Sequence, residues 1–203
     1  MQTRKKSDYF EVALDLLANE GANALTIARL CESLEVTKGS FYHHFSGTED
    51  FYEKLLEYWE FEAAREIVDR VELIDDPPKR VESLKMAAVN LNHEAESAIR
   101  AWARTYEFAA STQKRVDAAR VDVLTTAFIG VGVPPMPAGV LARIGVRILV
   151  GSQYVERPVD RKELRRLLDE YQRWVEVHSV RSGRGRRDPV QGNRKLRRTV
   201  ARA

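Results

Sequence analysis

The most informative segment of the chain is VTKGSFYHHF, residues 36–45, which predicts a short helix with one polar face. Phe41 and Phe45 are four residues apart and therefore share the opposite, inward face. No Asp or Glu occurs from Val36 to Thr48, although acidic residues lie on both sides of this segment. A helix face that carries hydroxyl, Lys and His side chains but no carboxylate can approach a phosphate backbone. The segment is typical of a DNA-recognition helix.

The residues around this segment predict a helix-turn-helix. Ser7 is a candidate N-cap for a first helix, and Gly21 is placed to end it in a left-handed conformation. Thr26 is a good N-cap for a second helix, and Thr37 for the third. Thr48 is the candidate cap of a fourth, longer helix that leads into the rest of the chain.

The segment from Ala24-Leu25-Thr26 to Phe45-Ser46-Gly47-Thr48-Glu49 resembles the TetR family of bacterial one-component transcriptional regulators. Residues 7 to about 60 carry the resemblance. It implies that the second helix of the helix-turn-helix enters the major groove of DNA. The positions that match DNA contacts of the family are Thr26, Thr37, Lys38, Gly39, Ser40, Tyr42, His43 and His44.

Two positions depart from the family pattern. Glu35 stands in the turn where the family usually has Gly, and a turn with positive φ would strain a Glu side chain by roughly 1 kcal/mol. Thr48 stands where the family commonly has Lys, which removes one positive charge near the phosphate backbone. A helix N-terminus and a hydroxyl group remain there.

Composition and charge limit the possible classes of protein. The 203 residues include one cysteine, Cys31, so no intramolecular disulfide can form, and there is no apolar run long enough to predict a membrane span. We therefore expect a cytoplasmic protein. Residues 1–50 hold five Lys or Arg against eight Asp or Glu, residues 51–180 nineteen against twenty-one, and residues 181–203 nine against one. The net charge of +3 thus comes from the tail, and the DNA prediction rests on local pattern.

Helical spacing of apolar residues continues through the chain, with a break at the Asp75-Asp76-Pro77-Pro78 segment, so the fold is predicted to be all-α. We divide the chain into a helix-turn-helix domain at residues 1–64, a larger helical regulatory and dimerisation domain at residues 65–180, and a basic tail at residues 181–203. The tail is rich in Gly and Arg and is predicted to be disordered. It could hold DNA through phosphate contacts or merely increase solubility.

Two predicted helices near the end of the chain, residues 138–155 and 161–178, carry apolar stripes that could pack internally or against a second copy. The family resemblance implies a four-helix bundle and a homodimer that reads two half-sites. The predicted interface consists of Val140, Ile144, Ile148, Leu164, Leu168, Tyr171, Trp174 and Val175.

A small-molecule effector is implied by the same resemblance. Apolar bulk with a few polar groups is the composition of a ligand cavity, and equally of an ordinary helical core. The candidate cavity residues are Phe61, Met86, Asn90, His93, Trp102, Tyr106 and Phe128. No cofactor or metal is expected, because His93-Glu94 starts a metalloprotease-like pattern that lacks its second His.

Two alternatives to a DNA-binding regulator remain. One is an all-helical enzyme with a site around His93, Glu94 and Arg100, for which the sequence has no phosphate-binding loop or nucleophile motif. The other is a degenerate family member that acts as a helical protein-interaction module without specific DNA binding, because its head is acidic. The carboxylate-free face of residues 36–48 favours the ligand-responsive repressor that binds a palindromic operator.

Overall fold

The computed structural model describes residues 4–184, with side chains described as far as residue 177, and all regular structure in this range is helical. The prediction of an all-α fold is confirmed. The helices are α1 (Lys6–Glu20), α2 (Ile27–Ser33), α3 (Lys38–His44), α4 (Thr48–Glu60), α5 (Glu66–Glu72), α6 (Pro77–Val89), α7 (His93–Trp102), α8 (Glu107–Gly130), α9 (Pro135–Val155) and α10 (Arg161–Arg184).

Helix α1 has its N-cap at Lys5, two residues before the predicted cap. Ser7 is the second helical residue, and the backbone N–H of Lys5 donates to Asp8 Oδ2 at 3.0 Å, so the prediction that Ser7 caps the helix is wrong. Gly21 ends the helix with φ 79° and ψ 178°. The predicted positive φ is confirmed, but the extended ψ places Gly21 outside the left-handed helical region.

Threonine caps begin both helices of the helix-turn-helix, as predicted. Thr26 Oγ1 accepts from the N–H of Arg29 at 3.2 Å, and Thr37 Oγ1 accepts from the N–H of Ser40 at 3.3 Å. These bonds satisfy N–H groups that have no partner within the helix. At α4 the prediction was one residue late, because Gly47 holds the N-cap position and Thr48 is the first helical residue.

The turn between α2 and α3 requires a left-handed residue. Glu35 has φ 54°, the positive value that was expected at this position from the family's usual Gly. Among the described residues it is the one non-glycine residue with positive φ. A side chain with a Cβ atom is disfavoured in this conformation, so the turn stores a small amount of strain.

An aromatic cluster holds α1, α3 and α4 together. Phe41, Phe45 and Phe51 are at most 1% exposed, which confirms that Phe41 and Phe45 face inward. The ring centroids of Phe45 lie 5.1 Å from Phe41 and 5.0 Å from Phe51, and Tyr9 meets Phe45 edge-on at 5.5 Å. Close aromatic pairs of this kind restrict how α3 can sit on the other two helices.

Helix α4 continues through one π-helical turn, Phe61–Arg65, into α5. The predicted break lies after α5. The Asp76 side chain caps α6 by accepting from the N–H of Lys79, and two prolines occupy the first positions of α6. Helix α7 ends at Trp102, and Tyr106 immediately precedes α8.

The buried core of the head is continuous with the rest of the molecule. The hydrophobic cluster that contains Phe41 and Phe45 also includes Ile99 of α7 and Ala109 and Val116 of α8. Helix α7 packs along α1, and the Arg115 guanidinium of α8 donates to Glu60 of α4, which lowers the pKa of that carboxyl group. The division of the chain at residue 64 stays a prediction.

The basic tail falls almost entirely outside the described residues. Helix α10 runs to Arg184, so residues 181–184, the first four of the predicted disordered tail, are helical. The rest of the tail, and with it the predicted DNA or solubility role, lies outside the described residues.

We expect the substitution Glu35→Gly to stabilise the protein by up to about 1 kcal/mol, because glycine adopts positive φ without steric cost. The matched control is Glu35→Ala, which removes the same charge but keeps the Cβ atom and should bring no gain. Urea unfolding followed by circular dichroism measures both. Equal stabilities of the Gly and Ala variants would show that the turn is unstrained.

We expect Phe45→Ala to lower the free energy of unfolding by about 3–5 kcal/mol, since it removes a buried ring from the aromatic cluster. Tyr42→Ala on the outer face of α3 is the control, and its effect should stay near 0.5 kcal/mol. The same denaturation experiment applies. A Phe45→Ala protein as stable as the control would mean that the faces of α3 are wrongly assigned.

Candidate DNA interface and interior sites

Helix α3 presents a polar outer face. The side chains of Lys38, Tyr42 and His43 are exposed, and Tyr42 keeps 56% of its accessible surface. Gly39 is also exposed, and a Cβ atom there would meet only Thr37 Oγ1, at 3.6 Å. These four predicted DNA-contact residues form one accessible surface that contains no carboxylate.

Two other predicted contact residues are partly held by the protein itself. Ser40 Oγ and the Tyr9 hydroxyl form a 2.8 Å hydrogen bond. The imidazole ring of His44 meets the ring of Tyr9 on α1 edge-on. Nε2 donates to the carbonyl oxygen of Arg4 at 2.9 Å, since a carbonyl can only accept. Arg4 in turn donates to the Leu34 carbonyl at 3.4 Å. Arg4 is thus held beside α3.

The remaining predicted contacts, Thr26 and Thr37, are exposed N-caps whose hydroxyl oxygens accept helix N–H groups. Both hydroxyl hydrogens stay available for an external acceptor. Arg29 on α2 is less available, because its guanidinium bridges Glu20 at 2.8 Å and Glu32 at 3.0 Å. Lys38 is therefore the main cation on the helix-turn-helix surface between residues 7 and 48.

The acidic residues at the start of α4 have partners of their own. Asp50 accepts from the N–H of Ser46 at 2.8 Å and pairs with Lys54, and these contacts, led by Lys54, lower the pKa of its carboxyl group. Glu49 accepts from the Tyr106 hydroxyl at 2.9 Å. Burial, followed by this bond to Glu49, raises the pKa of Tyr106. The carboxylates of Asp50 and Glu49 are thus both bonded to groups of the protein itself.

The helical body contains an apolar cavity of about 100 Å³ between α5, α6, α8, α9 and α10. Its wall is mainly aliphatic, with a few polar groups at the edges. Phe128 lines it and is the one predicted ligand residue that does so. The polar residues of the wall are Lys85, Arg120, Tyr171 and Gln172.

Three predicted ligand residues lie elsewhere. Phe61 is on the π-helical turn and is 47% exposed, so it faces solvent. Asn90 is exposed at the end of α6, and Met86 of α6 does not line the cavity. The residues of α6 that line the cavity are Val81, Leu84, Lys85, Ala87 and Ala88.

The other three predicted ligand residues have structural contacts. Trp102 and Tyr106 stack at 4.9 Å, and Trp102 meets Tyr52 of α4 edge-on at 4.9 Å, so they join the body to the head. His93 is 1% exposed, and its Nε2 lies 3.1 Å from the carbonyl of Val89. None of them lines the apolar cavity. His93 and Trp102 line a different pocket beside the end of α1, and the role of all three residues as ligand contacts stays a prediction.

A buried polar cluster, made of His93, Glu96, Arg120 and Gln153, was missed by sequence reasoning. Arg120 forms a two-pronged ion pair with Glu96, which is 2% exposed, and also donates to the carbonyl of Ala63 in the π-helical turn at 3.3 Å. Gln153 Nε2 donates to Glu96 Oε2 at 2.9 Å. Helical spacing could have found Glu96, because it lies three residues from both His93 and Ile99.

The predicted dimer stripe divides between two faces of α9 and α10. Leu164, Leu168 and Val175 are at most 7% exposed and are buried in the core of their own chain, so their assignment to an interface was wrong. Tyr171 lines the cavity and Ile148 is half-buried. The exposed apolar residues of these two helices include Met136, Val140, Ile144, Leu167, Trp174 and Val177.

The inward stripe and the outward stripe of α10 differ by one residue in register. Leu164, Leu168 and Val175 pack against the core of their own chain, whereas Leu167, Trp174 and Val177 lie beside them on the exposed side of the helix. Sequence periodicity alone describes a broad apolar face and does not separate these two stripes.

Neither metal chemistry nor a membrane span is indicated by the described part of the chain. Its His, Cys, Asp and Glu side chains form no group of three that could hold a metal ion. None of its helices combines the length and apolar character needed to cross a membrane. Cys31 is buried among apolar residues, and burial raises the pKa of its thiol.

The structure has a helix-turn-helix head on a larger helical body, and comparison with known sequences finds a family match for the head. Residues 10–55 match the family model described as bacterial regulatory proteins, tetR family. The match covers the helix-turn-helix and the start of α4.

Curated relatives and solved structures are also similar to this chain. The chain is 29% identical over 100 residues to the HTH-type transcriptional repressor KstR2 of Mycobacterium tuberculosis, a match that covers 47% of this chain and 48% of the relative. The chain thus spans about half the length of the curated relatives it matches.

Three solved structures illustrate the shared fold. A TetR transcriptional regulator from Legionella pneumophila has a TM-score of 0.69 at 13% identity, covering 83% of this chain and 97% of that one. NemR of E. coli in its reduced form has a TM-score of 0.68 at 15% identity, covering 86% and 97%. A protein from Saccharomonospora viridis solved in complex with choline has a TM-score of 0.69 at 14% identity, covering 84% and 96%. At these identities the likeness concerns the fold.

Proposed function

We propose that this protein is a DNA-binding transcriptional regulator, a ligand-responsive repressor that binds a palindromic operator as a homodimer. The observation that carries the proposal is the outer face of α3, which is exposed, polar and without a carboxylate. The aromatic cluster behind α3 holds this face in a fixed orientation. A protein with this function works in the bacterial cytoplasm, where operator DNA lies.

The roles of the contact residues follow from their positions. Lys38 supplies the positive charge at the start of α3, and exposed Tyr42 and His43 supply groups that can donate to phosphate or to base edges. Exposed Gly39 allows the helix backbone to approach the groove closely. Ser40 forms a hydrogen bond with Tyr9, and His44 forms one with the Arg4 carbonyl. These bonds orient both side chains at the inner edge of the DNA-facing surface.

Dimerisation is supported by the exposed apolar stripe of α9 and α10. Val140 and Ile144 on α9 and Leu167 and Trp174 on α10 are all at least 36% exposed. The Tyr171 hydroxyl of α10 donates to the Leu141 carbonyl of α9, so these stretches of the two helices adjoin. Apolar residues repeated along two adjacent helices are suited to a four-helix bundle with a second copy. A twofold dimer would present two α3 helices to two half-sites.

The apolar cavity is the proposed effector site, and Arg120 is its proposed link to the head. Arg120 lines the cavity, donates to the Ala63 carbonyl in the helix that leads to the head, and pairs with Glu96 of α7. Helix α7 packs against α1. A ligand that displaces Arg120 would therefore act on both helices that join head and body.

We expect Lys38→Ala and His43→Ala each to weaken binding to the DNA upstream of the protein's own gene by about 5- to 150-fold, the effect of losing about 1–3 kcal/mol of charge-assisted or base contact. Fluorescence polarisation with a labelled fragment measures the affinity at fixed salt. Lys79→Ala is the control, because Lys79 is exposed on α6, and it should bind like the wild type.

Three other results of this assay are informative. Equal affinities of the Lys38 and His43 variants and the wild type would contradict the assignment of α3 as the DNA-reading helix. If the wild type prefers no upstream fragment over random DNA, the protein is instead a helical interaction module. Loss of binding in Lys79→Ala would show that the weaker DNA binding of Lys38→Ala comes from the change in net charge.

We expect Leu167→Glu to convert a dimer into a monomer, because it places an unpaired charge in the apolar stripe of α10. Leu73→Glu is the matched control, since Leu73 is 84% exposed at the end of α5 and away from that stripe. Sedimentation velocity reports the mass of each variant. A Leu167→Glu dimer as stable as the control would rule out this interface.

A further inference from the structure

A second pocket lies apart from the apolar cavity, between α7 and the end of α9. Its volume is about 390 Å³, and it has no acidic residue in its wall. The wall contains three arginines, Arg100, Arg104 and Arg157, together with Gln153 and the exposed ring of Tyr154. We refer to it as the arginine pocket.

The positive charge of this pocket is only partly neutralised. Arg100 pairs with Asp117 through both terminal nitrogens, at 2.8 and 2.9 Å. Arg104 and Arg157 are exposed and form no ion pair among the described residues. Two uncompensated guanidinium groups in one concave site attract an anion, and the planar donor geometry of Arg suits oxyanions in particular.

Two buried polar atoms of the pocket residues have no partner. They are Arg100 Nε, a donor, and Gln153 Oε1, an acceptor. A buried polar group without a hydrogen bond is costly, so each such atom requires an explanation. A ligand that offers both an acceptor and a donor would satisfy the pair.

The orientation of the Gln153 amide is set by its neighbours. Nε2 donates to Glu96 Oε2 at 2.9 Å and lies 3.3 Å from His93 Nδ1. His93 Nε2 donates to the carbonyl of Val89, which leaves Nδ1 as an acceptor. A flipped amide would bring Oε1 against the Glu96 carboxylate, where no hydrogen could join the two oxygens. Gln153 therefore keeps an unused acceptor in a side chain that is 2% exposed.

We propose that the arginine pocket binds an oxyanion that carries a hydroxyl group, namely hydrogen phosphate. Arg100 Nε and Gln153 Oε1 are closed to solvent in this structure, so binding requires the side chains over them to move apart. Phosphate oxygens then accept from Arg100 Nε, Arg104 and Arg157, and the P–OH group donates to Gln153 Oε1. Sulfate has the same shape and charge but no proton at neutral pH, so it leaves Gln153 without a donor. The site does not depend on whether the protein binds DNA.

The test is isothermal titration calorimetry of the full chain at pH 7, with ionic strength held constant by chloride. We expect inorganic phosphate to bind at least about tenfold more tightly than sulfate, and R104Q/R157Q to lose at least about tenfold in phosphate affinity. The charge-matched control is R165Q/R166Q, which alters two exposed arginines on α10 and should bind phosphate like the wild type.

Several outcomes would overturn the proposal. They are equal affinities for phosphate and sulfate, phosphate binding no stronger than that of chloride, and a loss of equal size in R165Q/R166Q. Sedimentation of R104Q/R157Q tests whether a second copy of the chain, and not an anion, occupies the pocket. A shift of the variant to monomer would show that a second copy covers it. Circular dichroism melting shows whether the variant is folded.

Phenyl phosphate tests the role of the proton, because a phosphate monoester has its second pKa at about 6 and is mainly a dianion without a P–OH group at pH 7. We expect it to bind as weakly as sulfate. Binding as tight as that of inorganic phosphate would show that the ligand donates no hydrogen bond to Gln153 and would overturn the proposal.

Discussion

The burial of Phe41 and Phe45 against Tyr9, Phe10 and Phe51 is the interaction on which the DNA-facing surface depends. Helix α3 has only seven residues, too few to be stable without tertiary contacts. Its two inward rings fix its rotation, and the bond between Tyr9 and Ser40 adds a polar constraint at the same contact. The outer residues of α3 are therefore displayed together on a rigid support.

The buried cluster of Glu96, Arg120 and Gln153 plays the corresponding part in the body. It joins α7, α8 and α9, and through Ala63 it also reaches the helix that carries the head. A buried ion pair is expensive to desolvate, so its value here lies in specific connections rather than in stability alone. It lies between the apolar cavity, through Arg120, and the arginine pocket, through Gln153.

Features that depend on local sequence could be predicted, and features that depend on partners could not. The caps Thr26 and Thr37 and the inward faces of Phe41 and Phe45 follow from a few neighbouring residues, whereas the positive φ of Glu35 was expected from the Gly that the family usually has there. The cavity residues were largely missed, because Trp102 and Tyr106 are equally suited to a cavity or to a contact with α4. The apolar face of α10 was found, but only packing separates its inward from its outward stripe.

Selection of genomic DNA fragments by the purified protein tests the central claim most directly, namely that α3 reads a specific operator. The protein is incubated with sheared genomic DNA, and bound fragments are sequenced after several rounds. The account predicts enrichment of an inverted repeat whose half-sites are about one helical turn apart or a multiple of it, and loss of that enrichment in Lys38→Ala. Recovery of fragments in proportion to the input DNA, with no common repeat, would contradict it.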